Sequence, residues 1–415
     1  MKILFISLGC DKNLVDSEVM LGLLTKNGYT LTDDETQADV IVINTCCFIY
    51  DAKEESINTI LEMAQYKEQN LKALVVTGCL AERYKDEILK EIPEIDAVLG
   101  TTSYDSIVEA VNMALAENAG EHFEHYESID YLPDNSEVER VVTTGNHMAY
   151  LKIAEGCDKR CSYCIIPKIR GHFRSVPMEE LLNEAKRLAS EGVKELVLVA
   201  QETTLYGKDL TGEKQLPLLL HELCKIEGIE WIRLLYCYPE EITDELIEAI
   251  KTEEKVCNYI DMPIQHSENR ILQRMGRRTS REDLVAVIKK LRQEIPDITI
   301  RTTLITGFPG ESEEDHEGLM NFVEECKFDR LGVFTYSPEE DTLAATFEDQ
   351  IDEEVKEARR DELMSLQQEI SYEHTQQLVG KTIKVMVEGY LFEDDIYVGR
   401  SYMDAPKVDG CVFIN

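Results

Sequence analysis

The sequence predicts an α/β protein of two or three domains, with an N-terminal parallel α/β domain, a central partial barrel of six β/α units and a small C-terminal β domain. With 415 residues and 43% apolar content, the chain can bury more than one core. Apolar, β-branched runs alternate with helical patterns in the first hundred residues, which is typical of a parallel sheet. From Tyr150 onward the same alternation repeats six times. These observations together predict the fold class.

The N-terminal domain is predicted at 1–120, in a Rossmann-like arrangement. Its predicted strands are Ile3–Leu8, Val40–Asn44, Ala73–Thr77 and Ala97–Gly100, and its predicted helices are Asp16–Asn27, Lys53–Gln69 and Thr102–Glu117. Residues 121–145 are polar, acidic and aperiodic, so we interpret them as a linker.

The central domain is predicted at 146–350 as a partial, TIM-like barrel. Its predicted strands are Tyr150–Ile153, Glu195–Ala200, Trp231–Tyr236, Tyr259–Met262, Thr299–Ile305 and Leu331–Thr335. By analogy with such barrels, functional residues are expected just after each strand.

A long charged helix, Ile351–Gln377, is predicted to form a connecting segment at 351–379. Residues 380–415 are predicted to form the small β domain, with strands at Ile383–Glu388, Ile396–Arg400 and Val408–Ile414. Since the chain stops within a predicted strand, we expect this domain to be incomplete.

Cysteine use and the N-terminus indicate a cytoplasmic protein. The chain opens directly into an apolar strand without a signal-peptide pattern, and no apolar run is long enough to span a membrane. In a reducing compartment, twelve cysteines indicate metal or redox chemistry rather than disulfides. Five isolated cysteines in apolar surroundings are predicted to be core residues: Cys224, Cys237, Cys257, Cys326 and Cys411.

The net charge is −38, from 43 basic and 81 acidic residues. A protein that binds mainly by neutralising phosphates should not be this acidic, so a basic partner fits better. The alternative is that the acidic surface only maintains solubility.

Three cysteines lie close together in GCDKRCSYCIIP, at Cys157, Cys161 and Cys164, after the first barrel strand. A [4Fe-4S] cluster normally takes four cysteines, so three leave one iron open to a small molecule. The alternative is a zinc site completed by His172, although zinc sites usually show paired short spacings. The spacing therefore favours the cluster.

A second group of cysteines follows the predicted strands of the first domain: Cys10, Cys46 and Cys79. Because ligands gather at the carboxyl edge of a parallel sheet, these residues are predicted to converge on a second cluster. The alternative is three unrelated buried cysteines. Adjacent residues point in different directions, so only one of Cys46 and Cys47 is expected to be a ligand.

Several segments resemble the radical S-adenosylmethionine methylthiotransferase family. They are SLGCDKNLVDSE at 7–18, NTCCFIYDAKEES at 44–56, GCDKRCSYCIIPKIRG at 156–171, AQETTLYG at 200–207, DMPIQHSENRILQRMGR at 261–277, TTLITGFPGE at 302–311 and YSPEEDTLAA at 336–345. VGRSYMDAPKVDG, at 398–410, resembles the β-barrel TRAM domain of the family. The resemblance covers nearly the whole chain. It is closest to the branch that modifies a small-subunit ribosomal protein rather than tRNA.

The resemblance implies two [4Fe-4S] clusters and S-adenosylmethionine as cofactors. Cys157, Cys161 and Cys164 would hold the radical-generating cluster, and Cys10, Cys46 and Cys79 would hold an auxiliary cluster that presents sulfur. One S-adenosylmethionine would supply a methyl group, and a second would supply the 5'-deoxyadenosyl radical that activates the β-carbon of an aspartate in small-subunit ribosomal protein twelve. Two residues depart from the family pattern: Cys47 replaces a glycine and Asp11 replaces a proline.

Contacts to S-adenosylmethionine are predicted after the barrel strands and beside the third cysteine. The residues are Tyr163, Gln201, Glu202, Thr203, Gln265, Gly307 and Gly310. Glycine would let the backbone approach the ligand closely, although ordinary turn chemistry explains these residues as well. Arg170 and Arg174 are either cluster or carboxylate partners, or surface charges.

The substrate is predicted to be a basic ribosomal protein. Between Gly380 and Asn415, four basic residues stand against six acidic ones, which is unlike a phosphate-binding surface. The alternative is a tRNA methylthiotransferase that acts on isopentenyladenosine or threonylcarbamoyladenosine. A non-catalytic electron carrier is a third hypothesis, but a carrier would ligate each cluster fully with cysteine. We also expect a reducing donor such as flavodoxin or ferredoxin, and no membrane partner.

Overall fold

The structure of the chain, a computed structural model, describes residues 1–116 and 122–415. It divides into two compact units. The first comprises Met1–Thr143, Ala154–Lys159 and Cys164–Val176, and the second comprises Thr144–Ile153, Arg160–Tyr163 and Pro177–Asn415. The predicted boundary at residues 120 and 121, and the end of the helix predicted at Thr102–Glu117, lie outside the described residues.

The first unit contains a parallel sheet with helices on both faces. Its elements are β1 (Lys2–Ser7), α1 (Asp11–Lys26), β2 (Thr30–Leu31), β3 (Val40–Thr45), α2 (Tyr50–Ala64), β4 (Ala73–Gly78), α3 (Cys79–Arg83), α4 (Ile88–Glu91), β5 (Ala97–Leu99), α5 (Ile107–Ala114) and β6 (Phe123–His125). The strand order is β2-β1-β3-β4-β5-β6, and every neighbouring pair is parallel.

Every residue of β3 and β4 is buried, as expected for strands covered on both faces. Side chains from alternate strand positions enter two separate apolar cores, one containing Ile41 and Ile43 and the other Val40 and Val42. The two cores confirm the predicted Rossmann-like class. The sequence did not predict β6, which lies within the stretch interpreted as a linker.

The short elements that follow the first barrel strand belong to the first unit, although that strand belongs to the second. Strand β7 (Met148–Lys152) lies in the second unit, whereas β8 (Ala154–Glu155), α6 (Ile166–Arg170) and β9 (Arg174–Ser175) lie in the first. Strands β8 and β9 pair antiparallel, with Ala154 opposite Ser175.

The second unit is built on a six-stranded parallel sheet. Its elements continue with α7 (Met178–Ser190), β10 (Glu195–Val199), α8 (Lys208–Thr211), α9 (Leu216–Cys224), β11 (Trp231–Leu234), α10 (Asp244–Thr252), β12 (Val256–Asp261), α11 (Asn269–Arg274), α12 (Arg281–Glu294), β13 (Thr299–Thr306), α13 (Glu313–Cys326), β14 (Arg330–Thr335) and α14 (Glu353–Gln376). The strand order, β14-β13-β12-β11-β10-β7, is the chain order reversed. This architecture confirms the predicted partial barrel.

Local sequence signals explain where two of these helices begin. Ser280 and Ser312 each precede a helix and form a capping box with the aspartate three residues later, Asp283 and Asp315. Such a box satisfies backbone N–H groups that have no partner in the first turn.

The C-terminal residues form a three-stranded antiparallel sheet of β15 (Met386–Leu391), β16 (Ile396–Arg400) and β17 (Val412–Ile414). The first of these strands begins three residues later than predicted, because its register is set by pairing Met386 with Arg400. Cys411 precedes the last strand and is exposed, so its predicted place in a core is wrong. Cys237, Cys257 and Cys326 are buried as predicted, and Cys224 is half-buried. None of the helices in the described residues is both long and apolar enough to cross a membrane.

Candidate functional site

Three cysteines stand at the carboxyl ends of three adjacent strands in the first unit. Cys10 follows β1, Cys46 follows β3, and Cys79 begins the helix after β4. The register aligns these ends, with Ser7 opposite Asn44 and Thr45 opposite Gly78. Cys46 and Cys79 are each 6% exposed, whereas Cys10 is exposed. We call these three residues the strand-end cysteines.

Two glycines let the cysteine-bearing loops approach each other. A Cβ at Gly9, whose φ is +86°, would lie 2.8 Å from the Cys46 sulfur. A Cβ at Gly78, whose φ is +93°, would lie 2.3 Å from the Asn44 side-chain oxygen. Both distances are shorter than any real Cβ contact, so these positions require glycine. The sequence carries a signal for these two positions, since each glycine directly precedes a cysteine.

Asn13 ties the strand-end loops together. Its Nδ2 donates to the carbonyl oxygens of Leu8, at 3.0 Å, and Thr45, at 2.9 Å, which lie shortly before Cys10 and Cys46. Its Oδ1 accepts from the Cys79 thiol at 3.8 Å. One buried amide therefore joins all three strand ends, a role that no sequence pattern indicated.

Arg170 brings a buried positive charge to the same place. Its Nη1 lies 2.8 Å from Asp16 Oδ2 and 3.1 Å from Glu155 Oε2, and its Nη2 donates to the Cys79 sulfur at 3.6 Å. Burial alone would lower the pKa of Arg170, but Glu155, Cys79 and Asp16 outweigh burial and raise it. The guanidinium therefore remains charged at any physiological pH.

The thiols of Cys46 and Cys79 are protonated in the absence of a metal. Burial, together with the nearby Cys79 and Cys10, raises the pKa of Cys46 to about 12. Burial also raises the pKa of Cys79, which the Arg170 charge partly offsets. A metal that binds thiolates must displace these protons, so its affinity should increase with pH.

Cys47 lies in a different environment from Cys46. It is fully buried and packs in the apolar core with Ile43 and Ile60, and its carbonyl accepts from Arg83. Burial raises its pKa above the ordinary cysteine value. Among the described residues, no group of three or more His, Cys, Asp or Glu side chains is already spaced to hold a metal ion. A cluster at the strand ends is therefore supported by the three cysteine thiols and by the space that Gly9 and Gly78 leave beside them.

The second cysteine group lies in the loop 157–164. Cys157 is 6% exposed, and its backbone N–H donates to Gly171 at 3.1 Å within the first unit. Cys161 is 8% exposed and belongs to the second unit, and Cys164 is half-buried in the first. His172, the alternative zinc ligand, is 74% exposed and its Nδ1 hydrogen-bonds Asp158 at 2.7 Å. The histidine is thus engaged by a carboxylate on the surface.

Residues 160–163 are anchored to the helix α11 region of the second unit. The Ser162 hydroxyl donates to the Arg274 carbonyl at 2.8 Å, and its backbone N–H donates to Met275 at 2.9 Å. The Tyr163 ring packs edge-on against Phe308, with ring centroids 6.4 Å apart. Tyr163 therefore borders a small aromatic cluster beside the loop after β13.

The predicted S-adenosylmethionine residues after β10 are held by neighbouring loops. The Thr203 hydroxyl donates to the Leu235 carbonyl at 2.8 Å, which joins the ends of two adjacent strands. Glu202 is 1% exposed and accepts from the Thr204 backbone N–H at 3.0 Å. Gln201 precedes them and is half-buried. All three lie at the carboxyl edge of the sheet, as predicted from their position in the chain.

Gln265 adopts a left-handed backbone conformation, with φ of +72°. Its N–H donates to the Thr303 carbonyl, and its own carbonyl accepts from Ile305, so the loop after β12 extends the pairing with β13. Non-glycine residues rarely hold this conformation, and such strain is concentrated at functional sites.

Gly307 and Gly310 face protein side chains. A Cβ at Gly307 would lie 2.1 Å from Lys356 Cγ, and a Cβ at Gly310 would lie 2.3 Å from Asp349. Arg359 of helix α14 contacts the same loop, with its Nη1 donating to Glu311 Oε1 at 3.0 Å. These glycines therefore make room for the segment 349–359, a contact that sequence reasoning did not anticipate.

Comparison with known families divides the chain into three matched regions. Residues 2–100 match an uncharacterized protein family, UPF0004, residues 151–323 match the radical SAM superfamily, and residues 379–415 match the TRAM domain.

Relatives of high identity span the whole chain. The ribosomal protein uS12 methylthiotransferase RimO of Lachnoclostridium phytofermentans is 63% identical, covering 100% of this chain and 94% of that protein. The protein of the same name from Clostridium perfringens is 54% identical, covering 100% of this chain and 92% of that protein.

Among solved structures, the radical S-adenosylmethionine methyltransferase TsrM of Kitasatospora setae, with cobalamin and a [4Fe-4S] cluster bound, is similar in fold. Its TM-score is 0.61 at 14% identity, covering 83% of this chain and 76% of that one. At this identity the likeness supports the fold alone.

Proposed function

Since the chain belongs to the ribosomal protein uS12 methylthiotransferase family, we propose that it inserts a methylthio group at the β-carbon of an aspartate in that ribosomal protein. The observation that carries the proposal is 63% identity over the full chain to a protein of that name. The chain is accordingly a radical S-adenosylmethionine enzyme with [4Fe-4S] cofactors. In the reaction, one C–H bond of the substrate is replaced by a C–S bond to the transferred group.

The strand-end cysteines Cys10, Cys46 and Cys79 are the proposed ligands of the auxiliary cluster. Their position on three adjacent strand ends supports this, because a shared edge is where parallel sheets bind ligands. Cys46 is favoured over Cys47, since the Cys46 sulfur faces the Gly9 loop while Cys47 packs in the apolar core. Cys157, Cys161 and Cys164 are the proposed ligands of the second cluster, with spacing that leaves one iron open.

When bound, the clusters and S-adenosylmethionine supply the sulfur, the methyl group and the hydrogen-abstracting radical. The protein's own contribution is to hold these groups in place. Asn13 fixes the strand-end loops, and Ser162 fixes the loop of the second cluster to α11. Proposed contacts for S-adenosylmethionine are the predicted set: Tyr163, Gln201, Glu202, Thr203 and Gln265, with Gly307 and Gly310 shaping the adjacent loop.

Charge in the C-terminal sheet supports a protein substrate rather than RNA. Of the four basic residues between Gly380 and Asn415, Arg400 is buried against Glu195 and Glu388, and Lys384 pairs with Glu230 at 2.9 Å. Few cations are therefore available for phosphates, whereas the acidic surface suits a basic ribosomal protein. We further propose that a flavodoxin or ferredoxin supplies electrons and that the reaction takes place in the cytoplasm.

The test is mass spectrometry of products after anaerobic reconstitution and reduction. The enzyme is given S-adenosylmethionine with either a peptide of the ribosomal protein or isopentenylated tRNA. One methylthio group on the peptide aspartate supports the proposal. Modified tRNA with an unchanged peptide would promote the tRNA methylthiotransferase in its place.

The ligand assignment has a separate test in the iron content of reconstituted variants. Replacing Cys10, Cys46 or Cys79 by alanine should remove about four irons, since each [4Fe-4S] cluster holds four. Cys47→Ala is the matched control and should retain the full content. Iron loss in Cys47→Ala with retention in Cys46→Ala would reverse the assignment.

A further inference from the structure

Arg170 is the last residue of helix α6, six residues after Cys164 in the chain. Its side chain is 3% exposed and extends into the group of strand-end cysteines within the first unit. There it contacts two carboxylates, Asp16 and Glu155, the Asn13 side-chain oxygen, and the Cys79 sulfur. The segment 164–170 thus begins at Cys164, a proposed ligand of one cluster, and ends at Arg170, which contacts Cys79, a proposed ligand of the other.

A buried guanidinium is costly unless each of its N–H groups has a partner. Neutralising Asp16 and Glu155 explains the contacts of Nη1, at 2.8 Å and 3.1 Å. It does not explain Nη2, which bonds Asn13 and reaches the Cys79 sulfur at 3.6 Å. This second nitrogen directs the positive charge at the thiol, and Asn13 holds it there while also accepting from the same thiol.

We propose that Arg170 is a positioning residue of the auxiliary centre, which donates a charged hydrogen bond to the sulfur of Cys79 and thereby raises the reduction potential of the cluster. The inference rests on the proposed function, because it requires Cys79 to be a ligand. Reduction adds negative charge to a cluster, and both a nearby cation and an N–H donor to a ligand sulfur stabilise that charge. The two carboxylates beside Arg170 act in the opposite direction, so loss of the arginine would leave them uncompensated.

The experiment measures the midpoint potential of the auxiliary cluster by EPR-monitored redox titration. The parent is the full chain with Cys157, Cys161 and Cys164 all replaced by alanine, so that only the auxiliary cluster contributes to the signal. Into it are introduced R170Q, R170K and, as the matched control, K168Q, which removes the same charge from an exposed position on the same helix. Iron content is measured in parallel.

With full iron content, R170Q should show about a tenfold lower ratio of reduced to oxidised cluster at a fixed potential, a shift of about 59 mV for a one-electron couple. R170K should fall between R170Q and the parent, because an ammonium keeps the charge but not the guanidinium geometry. K168Q should match the parent.

An R170Q potential equal to that of K168Q, at full iron content, overturns the inference. If R170Q fails to retain iron, R170K decides: a potential below the parent supports the inference, and one equal to the parent overturns it. If the parent binds no cluster, the assignment of the strand-end cysteines as cluster ligands is wrong instead. The failure of this inference and that of the proposed site are therefore distinguishable.

Discussion

Removing the charge of Glu195 should destabilise the second unit strongly. Glu195 begins β10, is fully buried, and lies 2.7 Å from Arg233 Nε and 2.6 Å from Arg400 Nη2. Arg233 is itself 0% exposed, and Arg400 Nη2 also lies 2.6 Å from Glu388 Oε1. In Glu195→Gln, Arg233 would lose the carboxylate beside its Nε, and of these two contacts Arg400 would keep only that with Glu388. Losing one partner of a buried ion pair costs about 3–5 kcal/mol in the free energy of unfolding.

The matched control is Glu230→Gln, in the exposed pair that Glu230 forms with Lys384 at 2.9 Å. Like the buried network, this pair joins the C-terminal segment to the main sheet of the unit, but exposed pairs are worth about 0–1 kcal/mol. Replacing Glu195, Arg233 and Arg400 together by leucine and methionine should be nearly neutral, since no buried charge is then left without a partner.

Urea unfolding followed by tryptophan fluorescence measures these effects. The single tryptophan, Trp231, is buried on β11 directly opposite Glu195 in the strand register. If Glu195→Gln unfolds at the same urea concentration as Glu230→Gln, the reasoning about buried charge is refuted.

The pH dependence has a definite sign. Burial alone would raise the pKa of Glu195, but Arg233 and Arg400 outweigh burial and lower it below the ordinary value of 4.5. A carboxylate with a lowered pKa contributes stability that is complete above its unfolded pKa and is lost as the pH falls through its folded pKa. The difference between the wild type and Glu195→Gln should therefore be constant above about pH 5 and shrink below about pH 4.5. A difference that grows on acidification would contradict the assignment.

Two glycine substitutions test the close contacts of the loops. Gly307→Ala, at φ +66° and 2.1 Å from Lys356 Cγ, should cost about 1–3 kcal/mol, and adding Lys356→Ala should recover the part due to overlap. If the losses in unfolding free energy caused by Gly307→Ala and Lys356→Ala simply add in urea unfolding, the two side chains do not overlap. Gly78→Ala should remove about four irons by displacing the loop that carries Cys79, whereas Gly28→Ala, at φ +86° with open space around it, should retain them. Equal iron content in both alanine variants would exclude the proposed role of Gly78.

Much of the fold followed from local sequence patterns. Buried β-branched runs predicted β1, β3, β4 and β5 to within two residues, and the six barrel strands were all predicted. Strand β6 was missed because its three residues carry no apolar alternation and are defined only by pairing with β5. The shift of β15 has the same cause, since pairing with β16 sets its register.

For the candidate site, sequence and structure contributed different parts. The positions of Cys10, Cys46 and Cys79 after strands were visible in the sequence, and parallel pairing brings those strand ends to one edge. The environment that separates Cys46 from Cys47 was not visible, because neighbouring residues differ only in the direction of their side chains. The glycines at 307 and 310 looked like ligand-approach positions, whereas the structure packs them against Lys356 and Asp349.

By itself, the sequence determined the family, the order of the main strands and helices, and the residues able to bind iron, since these depend on residue type and on spacing over a few positions. Only the tertiary structure decided which distant residues meet. Arg170 reaches Cys79 across 91 positions, and Arg400 reaches Glu195 across 205. Such contacts depend on how the sheets and connections bring the chain together, and no local periodicity encodes them. The buried charges that surround the proposed cluster, and those that join the C-terminal segment to the barrel, are therefore properties of the folded chain.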